Sequence, residues 1–373
     1  MTGSGSKPTA IVIGAGIVGA ACAATLARDG FVVTVLDADI PGGGTTAAGM
    51  GHLVAMDDSP EQLALTSYSL QLWRDLAHDL PANVELEPTG TLWIAEDAEQ
   101  LAALRGKQAG YASAGIVSEI LDEREMWDAE PNLRRGLAGG LRVPADCVLY
   151  PPTATLALLA RARAAGADVK RLRVDAIQPG AVVTAGGVHR ADVVVNAAGA
   201  RAAELTPGLP IVPRRGHLAI TDRYPGFCRH QIVEAGYLAS AHEMTTESVA
   251  CNVQPRQTGQ VLVGSSRELV GWDATPNPMI LARMLARAAA FMPALAGLSV
   301  IRTWIGFRPT TPDGLPLIGK WNAVPGLLIA AGHEGLGITT ATATAEIVAA
   351  IAAGRSPAID PAPYSPMRGV PQS

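Results

Sequence analysis

A glycine-rich turn near the amino terminus constrains the fold more than any other feature of the sequence. Gly14, Gly16 and Gly19 follow an apolar run and open a helix-like segment, and Asp37 closes the next apolar run. Strand, turn, helix and strand in this order predict a parallel β-α-β unit. Glycines at this spacing admit a pyrophosphate at the helix amino terminus, and the acid can accept hydrogen bonds from ribose hydroxyls. The stretch therefore predicts a dinucleotide site and disfavours a 2′-phosphate, but it does not distinguish NAD from FAD.

Composition excludes several other classes of protein. The chain has 373 residues, of which 48% are hydrophobic and 17% charged, as expected for a folded protein large enough for two domains. A net charge of -5 gives no footprint for nucleic acid. The four cysteines form no C-x-x-C pair, so we expect neither a metal site nor a redox dithiol. No signal peptide or transmembrane span is predicted, which indicates a cytoplasmic protein.

The pattern of elements predicts two domains from interleaved chain segments. Residues 192–200 and 326–354 return to the apolar strand and glycine turn of the amino terminus, whereas residues 216–264 contain short strands spaced as in an antiparallel sheet. We predict a Rossmann-like α/β dinucleotide-binding domain of three chain segments and a smaller α+β domain with a mainly antiparallel sheet. The predicted boundaries are 1–82, 144–215 and 298–373 for the first domain, and 83–143 and 216–297 for the second.

Two local expectations concern the parts between these segments. Residues 84–97 alternate between apolar and polar side chains, which is typical of a strand with one exposed face. Residues 303–319 are rich in proline and glycine and are expected to form a stiff, irregular loop.

Additional glycine-rich stretches favour a flavin over a nicotinamide. The chain has a single G-x-G-x-x-G motif, but glycines recur at 42–51 and 332–337. A nicotinamide enzyme needs one phosphate turn, whereas a flavin that is buried along its whole length also needs backbone amides around its ring. An NAD dehydrogenase stays as a less favoured alternative.

Four segments together resemble the D-amino-acid oxidase family of FAD-dependent amine oxidoreductases, from Ile11 to about Ala353. They are VIGAGIVGAACAATLA with Asp37, GGGTTAAGMG, VVNAAGARAAEL, and WIGFRPTTPDGLPLIG followed by AAGHEGLGITTA. Glycine oxidases and the bacterial D-hydroxyproline and D-amino-acid dehydrogenases are the most similar members. The resemblance implies non-covalent FAD at a domain junction, and no cysteine after Cys251 is present to tether the flavin near Arg308.

The resemblance also assigns contacts to the cofactor. A helix amino terminus near the flavin ring suits the negative charge that the reduced ring gathers. The implied contacts are Gly14, Ala15, Gly16, Ile17, Val18, Asp37 and Ala38 for ADP; Gly43, Gly44, Thr45, Thr46, Ala48, Gly49 and Met50 for pyrophosphate and flavin; Val174 for adenine; Ala198 and Gly199 for a second turn; and Gly332, Gly335, Leu336, Gly337, Ile338 and Thr339 for the ring.

Three positions are implied at the substrate. Arg308 would bind the substrate carboxylate through two parallel donors, and its alternative role is an ion pair with a structural acid such as Asp313. Asn252 stands where glycine oxidases carry an aromatic hydroxyl. Arg267 stands where they carry an apolar side chain, and it either meets a polar or larger substrate or faces solvent.

Further candidates lie in loops. His52 either touches substrate or fills the domain junction, and Tyr237 could supply a hydroxyl. His333 and Glu334 are expected to have structural roles, since main-chain contacts dominate their loop.

The resemblance implies oxidation of glycine, an N-substituted glycine or a small D-amino acid. A hydride passes from the α-carbon to flavin N5, and the imine hydrolyses to a 2-oxo acid and an amine or ammonia, with O2 reduced to H2O2. This chemistry asks the protein mainly to orient the substrate and exclude water, and no acid–base pair is evident. The alternatives are a D-hydroxyproline or D-amino-acid dehydrogenase that passes electrons to a partner subunit or quinone, and a non-catalytic flavin-binding subunit. An oligomer is compatible with each.

Overall fold

The structure, a computed structural model, describes residues 6–236 and 247–368. The strands are β1 (Thr9–Ile13), β2 (Val32–Asp37), β3 (His52–Leu53), β4 (Thr91–Ala95), β5 (Glu119–Leu121), β6 (Gly139–Val143), β7 (Cys147–Val148), β8 (Asp168–Arg171), β9 (Val174–Gln178), β10 (Ala181–Thr184), β11 (Gly187–Arg190), β12 (Val193–Asn196), β13 (Val212–Thr221), β14 (Gln231–Glu234), β15 (Glu247–Pro255), β16 (Val261–Glu268), β17 (Val300–Thr310), β18 (Leu317–Lys320) and β19 (Leu327–Ala331). The α-helices are α1 (Ile17–Arg28), α2 (Pro60–Ala77), α3 (Ala98–Ser113), α4 (Glu123–Ala129), α5 (Pro151–Ala164), α6 (Ala202–Leu205), α7 (Pro278–Phe291) and α8 (Gly337–Ala352). Short 3₁₀ helices are Ala82–Val84, Gly199–Arg201, Pro293–Gly297 and Ala362–Tyr364.

The amino-terminal motif lies in a six-stranded sheet of order β18-β19-β12-β1-β2-β8. Five of its strands are parallel, and β18 pairs antiparallel at one edge. Helices α1, α5 and α8 pack together over one face, and the apolar side of the β9–β11 sheet covers the other. Because both faces are covered, these strands are almost continuously apolar, as expected for a parallel sheet.

The parallel strands bring the glycine-rich segments together. Strands β1, β2, β12 and β19 end at Ile13, Asp37, Asn196 and Ala331, and each is followed by one of the predicted turns. Carboxyl ends of parallel strands lie at one edge of the sheet, which is where ligands of such folds bind. The predicted Rossmann-like arrangement is confirmed.

An eight-stranded sheet of order β17-β13-β16-β15-β14-β4-β6-β5 forms the second part of the fold. Its neighbouring strands are antiparallel except for the parallel pair β14–β4, so the mainly antiparallel sheet is also confirmed. The pairing register places Trp93, Val233, Asn252 and Gly264 in one row across four strands. This row belongs to the sheet face that is turned away from α7.

Helix α7 covers the opposite face of this sheet. Its buried side chains Ile280, Met284, Ala288 and Phe291 recur at helical spacing and pack on the apolar residues of the strands. The Asn277 side chain caps the helix by accepting hydrogen bonds from the first amides.

Two local expectations were wrong. Strand β4 is buried on both faces of the sheet. Helix α7 and the residues that pack with it cover one face, and a second cluster of buried apolar side chains covers the other. Residues 303–310 are not a loop but form most of β17, which pairs with β13 along its length. Pro309 is compatible with this strand because β17 is an edge strand.

Strand β17 also bears on the domain division. The predicted boundary at residue 298 assigns it to the nucleotide-binding part, but its backbone pairs within the eight-stranded sheet. The division into domains itself stays a prediction. Within the described ranges, no helix is both long and apolar enough to cross a lipid bilayer.

Candidate active site

A cavity of about 760 Å³ extends from the carboxyl ends of the parallel strands to the face of the eight-stranded sheet. Most of the residues predicted for the cofactor and the substrate line it, although they come from distant parts of the chain. These are Gly14, Gly16, Ile17, Val18, Asp37, Ala38, Gly43, Gly44, Thr45, Thr46, Ala48, Gly49, Met50, His52, Val174, Ala198, Gly199, Asn252, Arg267, Arg308, Gly335, Leu336, Gly337 and Ile338.

Three predicted cofactor residues lie behind the cavity wall. The Ala15 amide donates to Asp37 Oδ2 at 2.5 Å, so Ala15 braces the phosphate turn from behind. Gly332 has a φ of 82° and forms the bend that follows β19. The Thr339 hydroxyl donates to the carbonyl of His52 at 3.0 Å and joins α8 to β3.

The turn after β1 has no space for side chains. Gly14 has a φ of 98°, and a Cβ there would lie 2.5 Å from the carbonyl oxygen of Ala197. The next turn closes over it, because the Ile17 amide donates to Thr46 Oγ1 at 3.1 Å. Gly14 and Gly16 line the cavity at this point, so the chain approaches it without side chains at these two positions, as a pyrophosphate at the amino terminus of helix α1 requires.

The other end of the cavity contains the amino terminus of α8. Gly335 and Gly337 line the cavity there, as the ring contacts predict. His333 is buried, and its Nε2 lies 3.0 Å from Thr344 Oγ1. Burial lowers the pKa of His333 to about 3, so this imidazole is neutral. His333 also lines the cavity, so its expected structural role stays a prediction.

Arg308 on β17 occupies space that Gly216 leaves on the neighbouring strand. Its Nη1 donates to the carbonyl of Ser266 at 2.8 Å. A Cβ at Gly216 would lie 2.8 Å from Arg308 Cζ and closer still to Nη1. Asp313, the example of a structural acid for Arg308, instead pairs with Arg368 at 2.7 Å, and the acid that lies near Arg308 is Glu334.

Arg267 and Glu334 form an ion pair beside Arg308. Arg267 is 3% exposed, so the solvent-facing alternative is wrong, and its Nε donates to Glu334 Oε1 at 3.1 Å. The Nε of Arg308 lies 3.9 Å from the same oxygen. Burial opposes ionisation of Glu334, but the charges of Arg267 and Arg308 prevail and lower its pKa to about 2. Glu334 is thus a counter-ion for two arginines in addition to its main-chain role in the loop. The sequence predicted only a structural role for this residue.

The sheet face adds further polar atoms beside the predicted Asn252. Asn252 Oδ1 accepts a hydrogen bond from the side-chain amide of Gln231. The amide nitrogen of Asn252 therefore does not face Gln231. Trp93 and Ser265 line the cavity, but Trp93 Nε1 and Ser265 Oγ themselves are buried and have no hydrogen-bond partner among the described residues. Because neither atom has accessible surface, both lie within the wall, and a ligand in the cavity would meet other atoms of these two residues.

His52 joins the two parts of the fold. Its Nε2 lies 2.7 Å from Thr91 Oγ1 on β4. Burial lowers the pKa of His52 to about 3, so the imidazole is neutral. His52 therefore bridges the junction, and it also lines the cavity. Tyr237 lies outside the described residues.

The cavity fits FAD by its shape and its donors. One end has a glycine turn without room for a Cβ and an acid, and the other has a helix amino terminus next to two guanidinium groups. Bound FAD would supply a two-electron acceptor, which no side chain provides.

Comparisons with known proteins agree with this assignment. Residues 9–351 match the DAO family, described as FAD dependent oxidoreductase. A glycine oxidase of Pseudomonas aeruginosa is 29% identical over 95% of this chain and 98% of that protein. A D-amino acid dehydrogenase of Cereibacter sphaeroides is 29% identical over 80% of this chain and 69% of that protein. The crystal structure of glycine oxidase from Geobacillus kaustophilus superposes with a TM-score of 0.88 at 26% identity, over 98% of this chain and 100% of that one. The similarity to glycine oxidases supports amine oxidation, and the chain belongs to the DAO family of FAD-dependent oxidoreductases.

Proposed function

We propose that this protein oxidises a small amino acid at its α-carbon, with FAD as hydride acceptor and O2 as terminal acceptor. The observation that carries the proposal is the position of Arg308 and Arg267 at the cavity, with the carboxylate of Glu334 beside both of them. Guanidinium groups in a buried site suit a carboxylate, because each offers parallel donors in a fixed plane.

Arg308 is the proposed carboxylate anchor. The Ser266 carbonyl and the gap at Gly216 fix its guanidinium, so it does not need to reorganise when substrate arrives. Glu334 keeps both arginines oriented and limits the positive charge that would otherwise be buried. The amide nitrogen of Asn252 is a further proposed donor to the substrate.

The remaining parts of the site would position the amine and exclude water. Trp93, Val233 and Asn252 of the row across the eight-stranded sheet line the cavity and would form its floor, with Gly264 at the edge and Asn252 as the polar side chain. The loop that carries Met50 packs on this floor, since a Cβ at Gly264 would lie 3.2 Å from Met50 Sδ. After oxidation, the imine hydrolyses to a 2-oxo acid and an amine or ammonia.

Anaerobic reduction of the purified holoenzyme tests this proposal. Glycine, sarcosine, longer N-alkylglycines, D-proline, D-hydroxyproline and D-alanine are each mixed with the protein, and loss of the oxidised flavin absorbance is followed. We expect at least one to bleach the flavin and yield the corresponding 2-oxo acid. Absence of bleaching by all of them would contradict the proposal and favour a non-catalytic subunit. Release of FAD by acid tests whether it is non-covalent.

The similarity to a D-amino acid dehydrogenase supports a second candidate for the terminal electron acceptor, namely a quinone or a partner subunit in place of O2. Readmitting air after anaerobic reduction separates the two possibilities. Rapid reoxidation with one H2O2 per flavin supports the oxidase. Slow reoxidation in air, together with fast reoxidation by a soluble quinone, would contradict O2 as acceptor and support a dehydrogenase.

A further inference from the structure

We propose that His52, Thr91 and Asp146 form a hydrogen-bonded chain that carries the proton lost by the substrate nitrogen from the cavity to a buried carboxylate. The inference rests on the proposed function, because it concerns the amine that this site would oxidise. It assigns a task to His52 and brings in two residues that do not line the cavity.

The chain is continuous and shielded from solvent. His52 lines the cavity, and its Nε2 lies 2.7 Å from Thr91 Oγ1. The Thr91 hydroxyl donates to Asp146 Oδ2 at 2.5 Å, and the Ala55 amide donates to Oδ1 at 3.3 Å. Thr91 is 0% exposed and Asp146 is 1% exposed. A buried carboxylate is thus connected to the cavity through two hydrogen bonds.

The single hydroxyl proton of Thr91 allows only two polarities for this chain. When Asp146 is ionised, Thr91 donates to it and accepts from His52 Nε2–H, so Nδ1 has a lone pair. When Asp146 is protonated, it donates to Thr91, Thr91 donates to Nε2, and Nδ1 carries the hydrogen. The second state contains one more proton than the first, and His52 is neutral in both.

The first state converts into the second by the transfer of one proton at each step, and no imidazolium forms. The substrate N–H bond breaks and His52 Nδ1–H forms. The Nε2–H bond breaks as its proton passes to Thr91 Oγ1, and the original Thr91 proton passes to Asp146 Oδ2. The burial that lowers the pKa of His52 to about 3 disfavours a cationic intermediate and favours this coupled transfer.

The surroundings of Asp146 set its proton affinity near neutrality. Burial raises the pKa of Asp146 to about 7, against the opposing effects of the Thr91 and Ala55 hydrogen bonds and the Lys107 charge. Lys107 is itself paired with Asp57 and lies over the ring of Trp93. The charged and titratable groups that face this network are Lys107 and Tyr111 on α3, Asp57 and Asp58 in the loop after β3, and Cys147 on β7.

The reaction provides such a proton. An amino acid carries an ammonium group in water, and hydride can leave its α-carbon only if one N–H proton also leaves. An ammonium thus yields an iminium, a hydride to the bound FAD and one proton. General acid–base groups serve such steps best when their pKa lies near the working pH.

Two substitutions cut the chain at different points. Thr91→Val removes the hydroxyl and preserves the shape, and Asp146→Asn removes the proton acceptor. We expect the anaerobic flavin reduction rate of the wild type to fall as pH decreases through neutrality. Both variants should reduce at least tenfold more slowly above pH 8 and lose this dependence. Thr344→Val is the matched control, because it removes the equivalent hydroxyl beside His333, where no carboxylate of the described part of the chain follows.

Infrared titration of the oxidised holoenzyme supplies a readout that does not need turnover. A protonated carboxyl band should appear as pH falls through neutrality, be absent in Asp146→Asn, and shift in Thr91→Val but not in Thr344→Val. An identical titration in wild type and Asp146→Asn would overturn the proposal, and so would a Thr91→Val reduction profile equal to the wild type. If no amino acid reduces the flavin, the proposed function fails, whereas the infrared result still decides whether the chain takes up a proton.

Discussion

Substitution of Gly216 by alanine should disturb substrate binding without removing any charge. The new Cβ would lie 2.8 Å from Arg308 Cζ and 2.8 Å from the Ser266 carbonyl oxygen, whereas ordinary contacts begin at 3.4 Å. The guanidinium must therefore move by at least 0.6 Å, the difference between these values, and further at Nη1. Gly216 has no positive φ, so its own dihedral angles are open to alanine, but the Ser266 carbonyl, which accepts from Arg308, must shift as well.

The expected cost follows from this displacement. A misplacement of roughly 1 Å at a positioning group can cost about a hundredfold in rate, equivalent to about 2.7 kcal/mol. We expect Gly216→Ala to lower kcat/KM for the preferred amino acid by about this factor, mainly through KM, while FAD stays bound. Anaerobic stopped-flow reduction over a range of substrate concentrations separates binding from the limiting rate.

Gly106→Ala is a suitable control, since a Cβ at this α3 position meets nothing within 4 Å. It should leave the kinetics unchanged. Arg308→Met provides the upper limit for the effect, because it removes the guanidinium altogether. A Gly216→Ala enzyme with wild-type KM and limiting rate would refute the role of Arg308 as carboxylate anchor.

Three further substitutions test the cofactor turn and the ion pair. Gly14→Ala places a side chain at a φ of 98° and against the Ala197 carbonyl, so FAD in the purified protein should fall at least tenfold; a full complement would contradict the tight turn. Asp37→Ala removes the acceptor of the Ala15 amide and should weaken FAD binding by roughly 10- to 100-fold, the worth of one charged hydrogen bond; equilibrium dialysis measures this, and an unchanged dissociation constant speaks against it. Glu334 has a folded pKa of about 2 against an ordinary 4.5, so its ion pairs stabilise the protein above about pH 4.5 and this stability is lost as pH falls towards 2. In urea unfolding, Glu334→Gln should therefore lose roughly 3 kcal/mol at pH 7 but little at pH 2, and equal losses at both would be inconsistent with this pKa.

The sequence predicted the nucleotide half of the fold well because its signals are local. The spacing of Gly14, Gly16 and Gly19 and the acid after β2 specify a turn through backbone requirements, and apolar runs identify the parallel strands. The cavity then brings most of the predicted cofactor residues to one place.

The substrate half was harder to predict because its elements depend on tertiary pairing. The segment around Pro309 is rich in proline and glycine, which favour loops. Its backbone nevertheless pairs with β13 and forms an edge strand. The ion pair of Arg267 with Glu334 joins positions 67 residues apart in sequence. Likewise, Asp146 meets Thr91 through packing, and no local pattern marks a buried acid of this kind.

The most direct test of the account compares an amino acid with the same amine lacking its carboxylate. Anaerobic mixing of the holoenzyme with sarcosine and with dimethylamine, or with any substrate found above and its decarboxylated counterpart, measures flavin reduction for each. The account predicts bleaching by the amino acid and at least a hundredfold lower kcat/KM for the amine alone. Equal reduction by both would contradict the central claim that this cavity recognises a carboxylate and oxidises the carbon beside it.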